Sequence, residues 1–301
     1  MNRPLRAQEP PGRERSGTGR GGVRKGFLGA VSRLIPLAVG LRLGPHFAAS
    51  SAWLIRNVAR SYVPDHLRQY PARVGDLLGE ALPPSEARRL MRERLSFRIA
   101  RRLASHALAT PRGRRSLLEH LEVNGLEHLH AAQARGHGVV LVTTHFGFPY
   151  LMRIVLLDQG ICQLHAQPRD DAEGTNVAVS GGPWQRLAAL QRFRSALADG
   201  AACVLLADGR MGAPIRVPLF SGETTIAFGS FYLGYLAQCP IVPFFTVMSH
   251  RSSLRVEIAP ALTPPTGSSP AALAEVAEEF LAIYGTYVRR YPSHLPRHLF
   301  R

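Results

Sequence analysis

The sequence predicts an α/β fold: a mostly parallel or mixed central sheet flanked by helices, carrying an N-terminal helical appendage. Three observations predict it. The run Gly138-Val-Val-Leu-Val-Thr-Thr144 is apolar and β-branched without alternation, the pattern of a strand buried on both faces. From there to residue 258, helix-type and strand-type segments alternate, as they do when crossover helices return strands to one sheet. The last two strand-type segments, 241–247 and 254–258, are separated only by the polar stretch Ser249 to Ser253, which makes that pair antiparallel.

In chain order, residues 1–26 hold seven basic and two acidic side chains among many Gly and Pro, and read as a disordered basic arm. Residues 27–119 form an N-terminal helical region that is a candidate for membrane association. Its segments fall at 27–42, 47–62 and 66–80, with turns at Pro45, Pro64 and Pro71. Phe27 to Leu43 is interrupted by Arg33, Pro36 and Arg42, too short a charge-free run to span a bilayer, and fits either an interfacial helix or one packed on the domain. A longer helix starts with Ser85 as its expected N-cap. It carries Met91, Leu95, Ile99 and Leu103 as an apolar stripe, with Arg88, Arg89, Arg92, Arg94, Arg98, Arg101 and Arg102 around it. That arginine face reads as solvated, or as a docking surface for anionic lipid or an acidic carrier.

The α/β core occupies 120–301. Val123 to Glu127 leads into a short helix ending near Gly136, followed by the 138–144 strand. Helix 149–158, strand 161–166, helix 184–198, strand 202–207, helix 227–238 and the two last strands then follow, with a closing helix over 271–290.

Composition narrows the class. The chain has 301 residues and a net charge of +16, and Lys25 is its only lysine. Removing the arm leaves 30 basic and 19 acidic residues, so the surplus belongs to the folded part too. Such a surplus favours anionic partners. Nucleic acid is disfavoured, since no helix-turn-helix signature, zinc spacing or interleaved aromatic and basic run occurs. Cys162, Cys203 and Cys239 show no disulfide or metal spacing and read as buried thiols in a reducing interior.

Three blocks carry candidate chemistry. His145 follows the 138–144 strand, at the carboxyl end where open α/β sheets place ligands, and Gly147 beside it permits a tight turn or a close backbone approach. Asp208 and Arg210 follow the 202–207 strand, where Asp208 suits anchoring a loop or an arginine and Arg210 suits a phosphate. Glu223 stands in a Gly-flanked loop before Gly229, near the start of a helix whose free N–H groups suit an anion. Near His145, Glu223 would orient the imidazole and stabilise its cation. Arg216 flanks the third block as a second phosphate candidate. A serine hydrolase is disfavoured because no Gly-x-Ser-x-Gly elbow is present.

The order of blocks resembles the bacterial lipid A biosynthesis acyltransferase family, the late Kdo-dependent enzymes and their phosphatidylinositol-mannoside relatives. The resemblance covers residues 30–290. It rests on Val123-Asn-Gly-Leu-Glu-His-Leu, Arg135-Gly-His-Gly-Val-Val-Leu-Val-Thr-Thr-His145-Phe-Gly147, Ala207-Asp208, Val217-Pro-Leu-Phe-Ser-Gly-Glu223 and Gly229-Ser-Phe-Tyr-Leu-Gly through Pro243.

The resemblance implies a glycerolipid-acyltransferase-like fold. It implies transfer of a fatty acyl chain from acyl carrier protein or coenzyme A to a hydroxyl or amine of a lipid or glycolipid. His145 would be the general base, with no metal and no bound cofactor. The expected partners are a phospholipid surface, an acidic acyl carrier protein and the acceptor, on the cytoplasmic face of the inner membrane, for a monomer that binds no nucleic acid.

The family motif places an acid five positions beyond the histidine, and this chain has Tyr150 there. Two readings follow. Another carboxylate replaces the acid, Glu223 by preference and Asp208 in reserve, with Tyr150 and Gly147 left to line the substrate. Alternatively the fold and lipid binding persist without catalysis.

Overall fold

The computed structural model describes residues 65–167, 174–179, 182–209, 213–248 and 253–296. The basic arm, the Phe27 to Leu43 segment and the helices expected over 27–42 and 47–62 lie outside these residues. All the described residues belong to one compact unit.

The described chain opens with helices α1 (Asp65–Arg68), α2 (Tyr70–Leu78), α3 (Pro84–Leu108) and α4 (Pro111–Glu119). Ser85 does not cap α3. Pro83 holds the cap position without a side-chain bond and Pro84 takes the first helical turn, where its fixed φ is already helical. The buried face of α3 is Leu90, Arg94, Phe97 and Ala104, whereas Met91 and Leu95 are only half-buried. The side chains of Ile99 and Leu103 lie outside the described set. A stripe at constant steps of four rotates by about 40° per step around a helix of 3.6 residues per turn, while mixed steps of three and four keep to one face. Arg94 was expected on the arginine face, and it is 5% exposed instead.

The core then runs β1 (Leu121–Asn124), α5 (Leu126–Gln133), β2 (Val139–Thr143), α6 (Leu151–Asp158), β3 (Gln163–Gln167), β4 (Asn176–Ala178) and α7 (Pro183–Ala198). It continues through β5 (Ala202–Leu206), β6 (Pro214–Leu219), β7 (Gly222–Ala227), α8 (Gly229–Ala237), β8 (Ile241–Met248), β9 (Leu254–Ile258) and α9 (Pro270–Arg290). A 3-10 turn, Pro292–His294, follows α9.

Seven strands form one sheet in the order β1-β9-β8-β2-β5-β3-β4. All neighbours are parallel except β8 and β9, so the sheet is mixed. Helices cover both faces. Val140, Val142, Cys203 and Leu205 pack with Phe193 of α7, Phe231 of α8 and Phe280 of α9. Val139, Leu141, Ala202 and Val204 alternate to the other face, against Leu129 of α5 and Ile154 and Val155 of α6. This two-sided burial is what the unbroken apolar runs required.

Three features were not anticipated: the edge strands β1 and β4, and the separate hairpin of β6 and β7. The last occupies what reads in the sequence as a loop around Glu223. Cys203 and Cys239 are buried as expected, but Cys162 is exposed, because it precedes β3 rather than lying within it.

Candidate active site

β2 and β5 run parallel, with Thr143 paired to Leu206. The next step of the ladder is the Ala207 N–H donating to the Thr143 carbonyl at 2.6 Å. Two residues beyond the Thr143–Leu206 pair, the chains present His145 and Asp208 to each other. The His145 Nδ1 lies 2.9 Å from Asp208 Oδ1. The His145 backbone N–H also donates to both carboxylate oxygens, at 3.0 Å to Oδ1 and 2.9 Å to Oδ2.

One carboxylate therefore holds both the ring and the main chain of the same residue. The Asp208 side chain is 3% exposed and that of His145 36%, so the acid is shielded from water while the imidazole faces the surface. A carboxylate accepting from Nδ1 requires the proton there, and that tautomer puts the basic lone pair on Nε2.

The turn after His145 is tight. Phe146 N–H donates to Thr144 Oγ1 at 3.1 Å. Gly147 has φ 66°, and a β-carbon on it would stand 1.7 Å from the Thr246 carbonyl oxygen of β8. Both the backbone conformation and the close approach demand glycine here. Phe146 is buried edge-on to Tyr284 at 5.5 Å. Burial, then the Asp208 carboxylate, pushes the Tyr284 phenol well above its ordinary value, so it stays protonated beside the pair.

The remaining candidates are dispersed. Glu223 is exposed on β7, opposite Pro218 in the hairpin. No hydrogen bond or ion pair joins it to His145 among the described residues. The foot of the hairpin is tied to the site, since Ala227 N–H donates to the Ala207 carbonyl at 2.7 Å. Its tip is tied elsewhere, with Ser221 Oγ donating to the Asp76 carbonyl of α2 at 3.0 Å. Four residues of strand, about 13 Å of chain, separate Ala227 from Glu223.

Arg216 is exposed on β6, and Arg210 lies outside the described residues. Tyr150, 38% exposed, precedes α6 and packs edge-on to Phe148 at 5.8 Å. Sequence reasoning missed Arg94, Ser293 and His294, which are buried around the turn. The closing segment Tyr291-Pro-Ser-His294 offers no periodicity from which that burial could be read.

A carboxylate-held histidine thus stands at the carboxyl ends of two central parallel strands of a mixed sheet, a geometry compatible with general-base chemistry. The chain belongs to the bacterial lipid A biosynthesis acyltransferase family, which it matches over residues 83–284. That membership supports acyl transfer to a lipid in the general sense.

No curated protein matches it. Among solved structures it is similar to the 1-acyl-sn-glycerophosphate (LPA) acyltransferase PlsC from Thermotoga maritima. The identity is 12% and the TM-score 0.38, over 83% of this chain and 100% of that one. No helix among the described residues is long and apolar enough to cross a membrane.

Proposed function

We propose that the protein transfers a fatty acyl group from an acyl carrier protein or coenzyme A thioester to a hydroxyl or amine of a lipid or glycolipid, with His145 as general base and Asp208 as its acid partner. The observation that carries this reading is the double hold of Asp208 on His145. The Nε2 lone pair takes the acceptor's proton as its oxygen or nitrogen attacks the thioester carbonyl carbon. The resulting tetrahedral species collapses with cleavage of the C–S bond, and the imidazolium returns the proton to the departing sulfur. Asp208 stabilises the imidazolium formed between these steps. Tyr150 stands at the position of the family's acid and offers a phenol in place of a carboxylate.

The reading includes peripheral attachment to an anionic phospholipid surface on the cytoplasmic face. Trp184 is 82% and Leu187 44% exposed in the first two turns of α7, beside the exposed Arg186. The Gly138 N–H at the start of β2 donates to Leu197 near the other end of α7. The Trp184 turn therefore lies toward the carboxyl ends of the strands, the side of His145. An exposed tryptophan next to arginine suits the membrane interface.

The test is transfer of a radiolabelled acyl group from both thioesters to a bacterial lipid extract. His145→Ala should abolish turnover and Asp208→Asn should lower kcat by about 10²–10⁴. Glu223→Gln and Tyr150→Phe should stay near wild type. Loss with Glu223→Gln but not Asp208→Asn would overturn the acid assignment. No turnover with any donor, alongside tight lipid binding, would leave a binding protein on an acyltransferase fold.

A further inference from the structure

The turn His145-Phe-Gly147 is gripped from a side that neither the histidine motif nor its acid partner explains. On one side the Thr246 carbonyl oxygen of β8 occupies the space a β-carbon on Gly147 would need. On the other, the segment Pro292–His294 lies against the turn: Gly147 N–H donates to the His294 carbonyl at 3.2 Å. The His294 ring lies 5.6 Å from that of Phe146.

This segment is itself held at successive carbonyls. The Tyr70 hydroxyl donates to the Pro292 carbonyl at 2.6 Å, and Arg94 Nη1 donates to the Ser293 carbonyl at 2.7 Å. The Arg94 guanidinium also stacks 4.7 Å over the Tyr70 ring. His294 is 2% exposed, with the Phe97 ring packed at 4.1 Å.

Its tautomer is set by a donor that cannot be anything else. The Met248 backbone N–H donates to His294 Nε2 at 2.9 Å, so Nε2 carries no proton. Nδ1 then carries it and donates to Ser293 Oγ at 3.1 Å. The ring thus joins the end of β8 to the turn, while Asp208 fixes the turn's other end at the His145 N–H.

We propose that His294 is a positioning residue for the transfer reaction: through its carbonyl, its ring and its Nε2 bond to β8 it fixes the His145–Gly147 turn, and so fixes where Nε2 of His145 meets the acceptor. This rests on the reading of His145 as general base. Arg94 and Tyr70 act one step behind, by holding the carbonyls of the segment.

The test uses the full-length protein with His294→Phe, which keeps a ring between Phe97 and Phe146 but leaves the Met248 N–H without an acceptor. His294→Gln returns an acceptor oxygen. Ser293→Ala, a smaller lesion, removes only the acceptor of the Nδ1 proton. Two readouts are taken on variants shown to be folded by thermal melting: hydrogen exchange of the amides of residues 144–148, and kcat and KM for the thioester.

His294→Phe should speed exchange at Gly147 and lower kcat by about ten- to a hundredfold with KM little changed, as expected when an attacking group is misplaced by less than an ångström or so. Ser293→Ala should do the same by about threefold, and His294→Gln should recover most of both. Wild-type exchange and kcat in His294→Phe and Ser293→Ala would overturn the inference. A wild type without turnover, or an active His145→Ala, would overturn the general-base reading instead, and the exchange measurement would still decide whether His294 holds the turn.

Discussion

Asp208 meets His145 through the imidazole and again through the main chain, and the two contacts have different consequences on substitution. Asparagine keeps an oxygen for the backbone N–H but supplies no charge to an imidazolium. Asp208→Asn is therefore expected to lose kcat far more than stability, which paired kinetics and melting curves would separate. Gly147 is the opposite case. Gly147→Ala places a methyl into the Thr246 carbonyl and a side chain at φ 66°. It should destabilise the fold by about 3 kcal/mol or more, read as a lowered denaturation midpoint.

The thiols separate by burial. Burial and then Cys239 push Cys203 up, and burial pushes Cys239 up to about 11. Only Cys162, which is exposed, should be alkylated by iodoacetamide in the native protein at pH 8, as peptide mass analysis would show. Burial also pushes Tyr287 up to about 12. Groups raised on folding stabilise fully below their unfolded pKa values, about 8.5 for thiol and 10 for phenol. That contribution is lost as the pH rises through the folded values, because the unfolded chain releases its protons first. Denaturation midpoints should hold steady from about pH 7 to 8 and fall above about pH 9.

Elements decide which carboxylate reaches the histidine. Parallel register pairs Thr143 with Leu206, and the same offset pairs His145 with Asp208. Each strand and the residues after it are legible in the chain, but the register between them is not, because two parallel strands separated by more than fifty residues carry no local signal of their alignment. From the sequence, where its segment reads as a loop, Glu223 is the better candidate. It stands instead in a hairpin whose tip is bonded to α2, with no hydrogen bond or ion pair to His145 among the described residues.

Helix starts show the same limit. Ser85, behind two prolines, makes no cap, whereas Ser269 accepts the Ala272 N–H at the start of α9. Ser269→Ala should cost about 1 kcal/mol and Ser85→Ala less than about 0.5 kcal/mol in urea titrations.

For the whole molecule, the net charge of +16 and the Trp184 turn bear on the same surface chemistry. Sedimentation with phosphatidylglycerol vesicles should weaken about tenfold on Trp184→Ala, in line with withdrawing part of one aromatic side chain from the interface. It should weaken further in high salt. Binding indifferent to both would remove α7 from the membrane face.

Local pattern along the chain suffices for the alternating α/β order, the two-sided burial of β2 and β5, the antiparallel closing pair and the position of His145 beyond a buried strand. Each of these is written in local hydrophobic pattern and turn length. The partner of His145, the burial of Arg94 and the grip of His294 on the turn were decided only by tertiary structure. They join residues 63, 199 and 147 positions apart: His145 to Asp208, Arg94 to Ser293, and Gly147 to His294. A contact between polar groups so far apart depends on strand register and chain return, and neither leaves a trace in the composition or periodicity of the segments it joins.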